Sequence, residues 1–164
     1  MKAKMFRALL PLAIVFTMVS CSSDSSEDVS AKQVITSYDY NETELRTVTL
    51  INDYRESKGL NRLEVINHIS YKSQEHNIYM IDNNVVNHDY FESRSENIIE
   101  VLGAVRVGEN IAYNFVNAES AINAWLNSPG HKANIEGDYT HIGISVTTNP
   151  TTGRKYYTNM FMKR

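Results

Sequence analysis

The sequence predicts an α+β domain, with helices packed on a small antiparallel sheet. Two observations carry this expectation. Apolar residues recur at helical spacing through most of residues 42–134, and from residue 142 the pattern switches to alternation on either side of a polar turn at 149–153. A third observation bounds it: once an N-terminal leader and a polar stretch are set aside, roughly 125 residues remain, enough for one domain and one main core. No internal repeat is present.

Each element has its own signal. Asn41 and Glu44 have capping-box spacing ahead of Leu45, Val48, Ile51 and Tyr54, and Gly59 supplies a stop, so a first helix is expected over 42–58. A second is expected over 67–82, where Ile69, Ser73, His76 and Met80 form one stripe, ended by Asn83 and Asn84. That stripe points His76 at the core as a packed histidine. Ser93 and Glu96 repeat the capping pattern ahead of Ile98, Ile99 and Leu102, with Gly103 as the stop. An extended piece follows around 105–113, where Val107, Ile111 and Tyr113 lie beside Gly108. Asn117 opens a fourth helix carrying Ala121, Ala124 and Trp125, and Ser128 with Pro129 reads as cap and first-turn proline of a short helix ending near Asn134. Ile142, Ile144 and Val146 then alternate with Gly143, Ser145 and Thr147, the pattern of a half-buried strand, and residues 155–162 return as its hairpin partner.

The N-terminus carries a different message. Lys2, Lys4 and Arg7 precede an apolar run of 12 residues, 8–19. That is short of the roughly 20 residues of a membrane span and within the roughly 7–15 of a signal peptide's central region. Met18, Val19 and Ser20 then precede Cys21 in a pattern that resembles a bacterial lipobox, with a less usual Met in first place. Residues 1–20 are therefore expected to be a cleaved signal peptide, Cys21 a lipid anchor in the membrane, residues 21–40 a flexible acidic tether, and residues 41–164 the folded domain. Cys21 is the one cysteine of the chain, so no internal disulfide can form, and acylation would consume its thiol. Each buried acyl methylene contributes about 0.8 kcal/mol, so two or three chains anchor the protein without a spanning helix. The polar run Ser22 to Asp28 resembles a lipoprotein surface-export signal, which places the domain in the cell envelope at the outer membrane, on its surface if the signal is read. Loss of the leader leaves 13 basic residues against 19 acidic ones, a net charge of −6. With no basic stripe to displace counterions, nucleic acid is excluded as a partner. A monomer is expected.

Candidate chemistry lies in the loops. Of five histidines, His88 sits in Asn87-His88-Asp89-Tyr90-Phe91 and His131 in Ser128-Pro129-Gly130-His131, while Glu109 sits in Gly108-Glu109-Asn110-Ile111-Ala112. Polar residues at loops and element ends of a rigid scaffold are better functional candidates than those on helix faces. Two imidazoles and a carboxylate are the ligand types of an open metal site, or an acid–base set able to hold a proton. Equally, a neutral imidazole donating to a carboxylate ties loops together with no further role. Separations of 21 and 22 residues give no local geometry that decides between these.

Together these segments resemble a CAP domain, the family of cysteine-rich secretory proteins, antigen 5 and pathogenesis-related 1 proteins, in its bacterial lipoprotein branch. The likeness covers residues 44–164. It rests on a histidine ahead of Phe91-Glu92-Ser93-Arg94, on residues 108–112, on Trp125 through Ile135, on His141-Ile142-Gly143-Ile144 and on Tyr156-Tyr157-Thr158-Asn159-Met160-Phe161. The resemblance implies a three-layer α-β-α sandwich with a central antiparallel sheet. It also implies a cleft lined by two histidines and usually two glutamates, which in some members holds zinc or another divalent ion. Carried over by motif, His88 and His131 are the histidines and Glu109 the first glutamate. Ser128 stands where the second glutamate would be, which leaves less negative charge for a dication, and His141 is a weaker alternative ligand. The resemblance is compatible with two functions. One is a noncatalytic binding module whose cleft takes a lipid, glycan or peptide, by analogy with relatives that bind sterols and fatty acids. The other is a metal-assisted, protease-like hydrolase using His88, Glu109 and His131, or a serine such as Ser128. The absence of a His-Glu-x-x-His helix and of a Gly-x-Ser-x-Gly elbow favours the first.

Overall fold

The computed structural model describes residues 33–164. The expected signal peptide, Cys21 and the first part of the tether lie outside the described residues. The elements in order are α1 (Glu42–Ser57), β1 (Glu64–Val65), α2 (Asn67–Asn83), α3 (Phe91–Leu102), β2 (Arg106–Tyr113), α4 (Ala118–Asn127), α5 (Pro129–Ile135), β3 (His141–Thr148) and β4 (Lys155–Lys163).

The strands form one sheet in the order β1-β3-β4-β2, which leaves β2 at an edge. The β3–β4 hairpin and the β2–β4 pair are antiparallel, as expected. The sheet is mixed, however, because two-residue β1 lies parallel to β3, held by Glu64 N–H on Thr140 O at 3.0 Å and Ile66 N–H on Ile142 O at 3.0 Å. So short a strand has no periodicity to read, and it went unforeseen.

Helices cover both faces. Ile51 of α1, Trp125 of α4 and Ile135 of α5 pack with Ile142, Ile144, Tyr157 and Phe161 on one side. Ile69 of α2 and Ile98 and Leu102 of α3 pack with Met160 and Met162 on the other. The three-layer sandwich is therefore present, and β3 is not half-buried: Gly143 and Ser145, the small members of its alternation, lie beneath α2. A Cβ at Gly143 would collide with Ile69 and the backbone of Ser70, so glycine is what lets α2 lie this close. The polar groups enclosed there satisfy one another. Asn77 donates to Ser145 O at 2.9 Å and accepts from Thr158 Oγ1 at 2.7 Å, and Ile144 N–H donates to Ser70 Oγ at 3.0 Å.

The capping box of α1 forms as read, with Asn41 accepting from Glu44 N–H at 3.0 Å, and α4 opens at Asn117 as expected, with a box of its own in which Asn117 accepts from Ser120 N–H at 3.0 Å. The box expected at Ser93 and Glu96 does not. Helix α3 starts at Phe91 behind Tyr90, and its first turn is fastened instead by Phe91 N–H on His88 O and Arg94 N–H on Tyr90 O, both 3.1 Å. Gly103 closes it at φ 69°, a left-handed conformation open to glycine.

Residues 33–40, assigned to the tether on composition, run along the domain. Ile35 N–H donates to Nδ1 of buried His68 at 3.1 Å, Asn67 donates to Thr36 O at 2.7 Å, and Tyr38 and Tyr40 reach Glu44 at 2.9 Å and Ser70 at 2.9 Å. On the opposite side, fully buried Arg55 donates to the carbonyls of Asn61 at 2.8 Å, Ile135 at 2.7 Å and Gly137 at 2.8 Å, tying the end of α1 to the segment after α5.

Candidate functional site

The site is assembled at the β2 edge. In the antiparallel register Glu109 lies opposite Met160, whose side chain is in the α2–α3 layer, so Glu109 points the same way. Its side chain is 2% exposed. A carboxylate so enclosed needs donors, and α3 supplies them. Arg94 Nε donates to Oε2 at 3.0 Å, while Nη2 lies 2.7 Å from Oε2 and 2.9 Å from Oε1. The Arg94 side chain is itself 8% exposed, and its Nη1 ties down Asp89 O at 2.7 Å.

The His88 loop completes the array. His88 Nδ1 stands 2.8 Å from Glu109 Oε1. Because an ionised carboxylate only accepts, Nδ1 carries a hydrogen toward Glu109, and in the neutral ring Nε2 holds the lone pair. The ring is 55% exposed, so that lone pair is available to solvent or a ligand. Beneath the loop, His76 Nε2 lies 2.8 Å from Asn87 O and donates to it. Its Nδ1 is buried with no partner, and the imidazole pKa is lowered, first by burial and then by the nearby Arg94 charge. His76 is thus packed, as its stripe implied, but it also fixes the backbone next to His88. Tyr79 and Asn87 both donate to Asp89 Oδ2 at 2.8 Å. Tyr90 holds φ 58°, a strained conformation for a bulky residue, and leaves its ring 67% exposed beside His88.

His131 approaches from the other face on α5. That helix is pinned to β2 by Asn110 Nδ2 on His131 O at 2.9 Å and Asn134 Nδ2 on Glu109 O at 3.0 Å. The imidazole pKa is lowered, mainly by burial and further by nearby His88, so the two rings share one electrostatic neighbourhood. His141 does not belong to it. It begins β3, paired with Met162 and 3.7 Å from Glu64, and β4 separates its strand from β2. Ser128 starts α5 without a side-chain cap bond.

A divalent ion was the cofactor the ligand types raised, and the donor set does not fit one. Zinc sites with an open position use three protein ligands. Both Glu109 oxygens are taken by Arg94, and His88 binds one of them, so the carboxylate orients His88 rather than facing an ion. His88 Nε2 and the His131 ring are what remain. Among the described residues, no three His, Cys, Asp or Glu side chains are grouped to hold a metal. A groove of about 610 Å³ opens beside His88, lined by Tyr90, Phe91, Glu92, Ser93 and Glu96. Another, of about 510 Å³, lies between α1 and the start of α4, where Leu45 and Val116 flank the Arg46–Glu119 ion pair.

Arg94 is the participant that motif reasoning missed. A signal was there: Arg94, Ile98 and Leu102 share one face at spacings of four, and a cation on an apolar stripe implies a buried counter-charge.

A helix–sheet–helix sandwich with His88 hydrogen-bonded to Glu109 at its sheet edge is what the resemblance to the CAP domains implied. The chain belongs to that family: the profile of the cysteine-rich secretory protein family (CAP) matches residues 48–161. Over 128 residues the chain is 38% identical to an uncharacterised membrane protein of Bacillus subtilis, YlbC, covering 74% of this chain and 35% of that one. Over 110 residues it is 30% identical to a second uncharacterised protein of that organism, YkwD, covering 62% and 41% respectively. The chain thus spans well under half the length of these relatives. Among solved structures, an outer surface protein from Borrelia burgdorferi superposes with TM-score 0.69 at 23% identity, covering 77% of this chain and 96% of that one. An extracellular SCP-domain protein from Bacillus anthracis superposes with TM-score 0.65 at 24% identity, covering 78% and 45%. These two likenesses establish the fold alone. Among the described residues, no helix is long and apolar enough to cross a membrane.

Proposed function

We propose that the chain is an exported CAP-domain protein, anchored through lipid on Cys21, that acts at the cell surface as a noncatalytic binding module. The ligand, a lipid, glycan or peptide, enters the groove beside His88. The observation that carries this is the closure of Glu109. With both oxygens engaged by Arg94 and His88, the carboxylate is not free to activate a water. His88 is oriented as a base would be, but among the described residues no serine hydroxyl is shown hydrogen-bonded to it, which counts against a serine nucleophile activated by His88. What is presented outward is an exposed imidazole acceptor, the Tyr90 ring and a concave surface, the makings of a recognition site. The outer-surface and extracellular proteins among its structural neighbours favour export, and the motif at Cys21 favours the anchor.

The test compares wild-type full chain with Glu109→Gln on casein and on bacterial wall fragments. No turnover above the variant's level is expected. Turnover that the substitution abolishes would establish the hydrolase instead. Mass measurement of the mature N-terminus checks the anchor, and a Cys21 without acyl chains would remove the membrane from the proposal.

A further inference from the structure

We infer that Arg94 is a resident cation that excludes divalent metal from this cleft, so that the cleft is specific for uncharged or organic ligands through a residue outside the histidine–glutamate set. The inference rests on the site proposed above and deepens it.

A metal ion at this position would draw on Glu109, the carboxylate hydrogen-bonded to His88. Arg94 meets that carboxylate with two nitrogens at 2.7–3.0 Å, in the fork geometry by which guanidinium matches carboxylate. The pair is enclosed, so screening by water is weak and the guanidinium offsets the pull that Glu109 would otherwise exert on a second cation. Displacing Arg94 is not a local event. Its Nη1 holds Asp89 O, and α3 begins at Phe91 behind that loop, so a guanidinium swung aside would leave a buried charge unpaired and unfasten the His88 loop. His88 and His131 alone are one ligand short of a three-ligand site.

The experiment is a zinc titration of the detergent-solubilised full chain, followed by calorimetry, thermal melting and the ring resonances of His88 and His131. Wild type is expected to show no saturable heat, and its histidine resonances are expected to stay in place with excess zinc. Arg94→Gln frees one Glu109 oxygen and is expected to acquire saturable binding that is lost again in Arg94→Gln/His88→Ala. With zinc about 100-fold above the variant's Kd, its Tm is expected to rise by roughly 5–10 °C while wild type does not move. Stoichiometric zinc binding by wild type that His88→Ala abolishes would overturn the inference, as would a folded Arg94→Gln that binds zinc no better than wild type. If Arg94→Gln fails to fold, the wild-type resonances decide by themselves. Zinc binding without turnover sinks this inference and leaves the binding module standing. Turnover in zinc-free buffer sinks the binding module and leaves this inference standing.

Discussion

The domain buries two arginines on opposite sides of its sheet, and they solve the same problem differently. Arg55, beneath α1, is surrounded by backbone carbonyls, and no carboxylate is among its hydrogen-bond partners. Its pKa is lowered, chiefly by burial. Arg94, beneath α3, is paired with Glu109 and reaches a carbonyl with only one nitrogen. The first guanidinium gives its donors to carbonyls of the loop after α1 and of the segment after α5, and the result is a tied corner in which the cation itself is fully buried. The second neutralises a charge whose other neighbour is the exposed His88. A buried cation among carbonyls signals architecture, whereas one on a carboxylate beside an exposed imidazole signals a site.

Substitutions can break or sharpen that contrast. The largest effect is expected at Arg55, because Arg55→Leu leaves several buried carbonyls without donors; a loss of about 4 kcal/mol in urea unfolding is expected. Arg94→Leu is expected to cost about 3 kcal/mol by the same measurement, since it strands a buried carboxylate. Here, however, the loss has a remedy. The double variant Arg94→Leu/Glu109→Leu is expected to recover most of it, because apolar replacement of a whole buried pair is often neutral, and Arg55 has no partner whose removal could do the same. If the double variant is no more stable than Arg94→Leu, the pairing does not distinguish the two corners.

A smaller effect is expected from pH. His76 is held neutral in the folded state, its pKa lowered by burial and by Arg94, whereas the unfolded chain titrates near the ordinary value of about 6.5. Below that value the unfolded state binds a proton that the folded state does not, so stability falls as pH drops from about 6.5 toward the lowered folded value. His76→Gln, which keeps a donor for Asn87 O, is expected to flatten that slope in urea titrations between pH 7 and 5. The smallest change is expected at His88. Its exposed ring makes His88→Ala cost under about 1 kcal/mol, while ligand binding in the groove is lost.

What the sequence disclosed follows from how far its signals reach. The Asn41–Glu44 box, the Gly103 stop and the hairpin alternation are written within a few neighbouring residues, and each appears in the fold. The Arg94–Glu109 pair joins two elements 15 residues apart, and only the fold brings them together. The start of α3 was misplaced because Ser93 and Glu96 satisfied a local rule that a tertiary demand overrode: Arg94 had to sit in the first turn, facing β2. His76 was read correctly as buried, but periodicity reports which face a residue occupies and not which atom it bonds.

The segment ahead of α1 has a practical consequence. Glu44 is 1% exposed and is stabilised by donors from Val146 N–H at 2.7 Å, Asn41 N–H at 2.9 Å and the Tyr38 hydroxyl at 2.9 Å. A recombinant fragment begun at residue 41 would delete Tyr38 and the Ile35 amide that caps His68, removing donors from two buried side chains before any site residue is touched. A fragment begun at residue 33 keeps both. Low yield or early melting of the shorter fragment would therefore report a misplaced cut and say nothing about the domain's intrinsic stability.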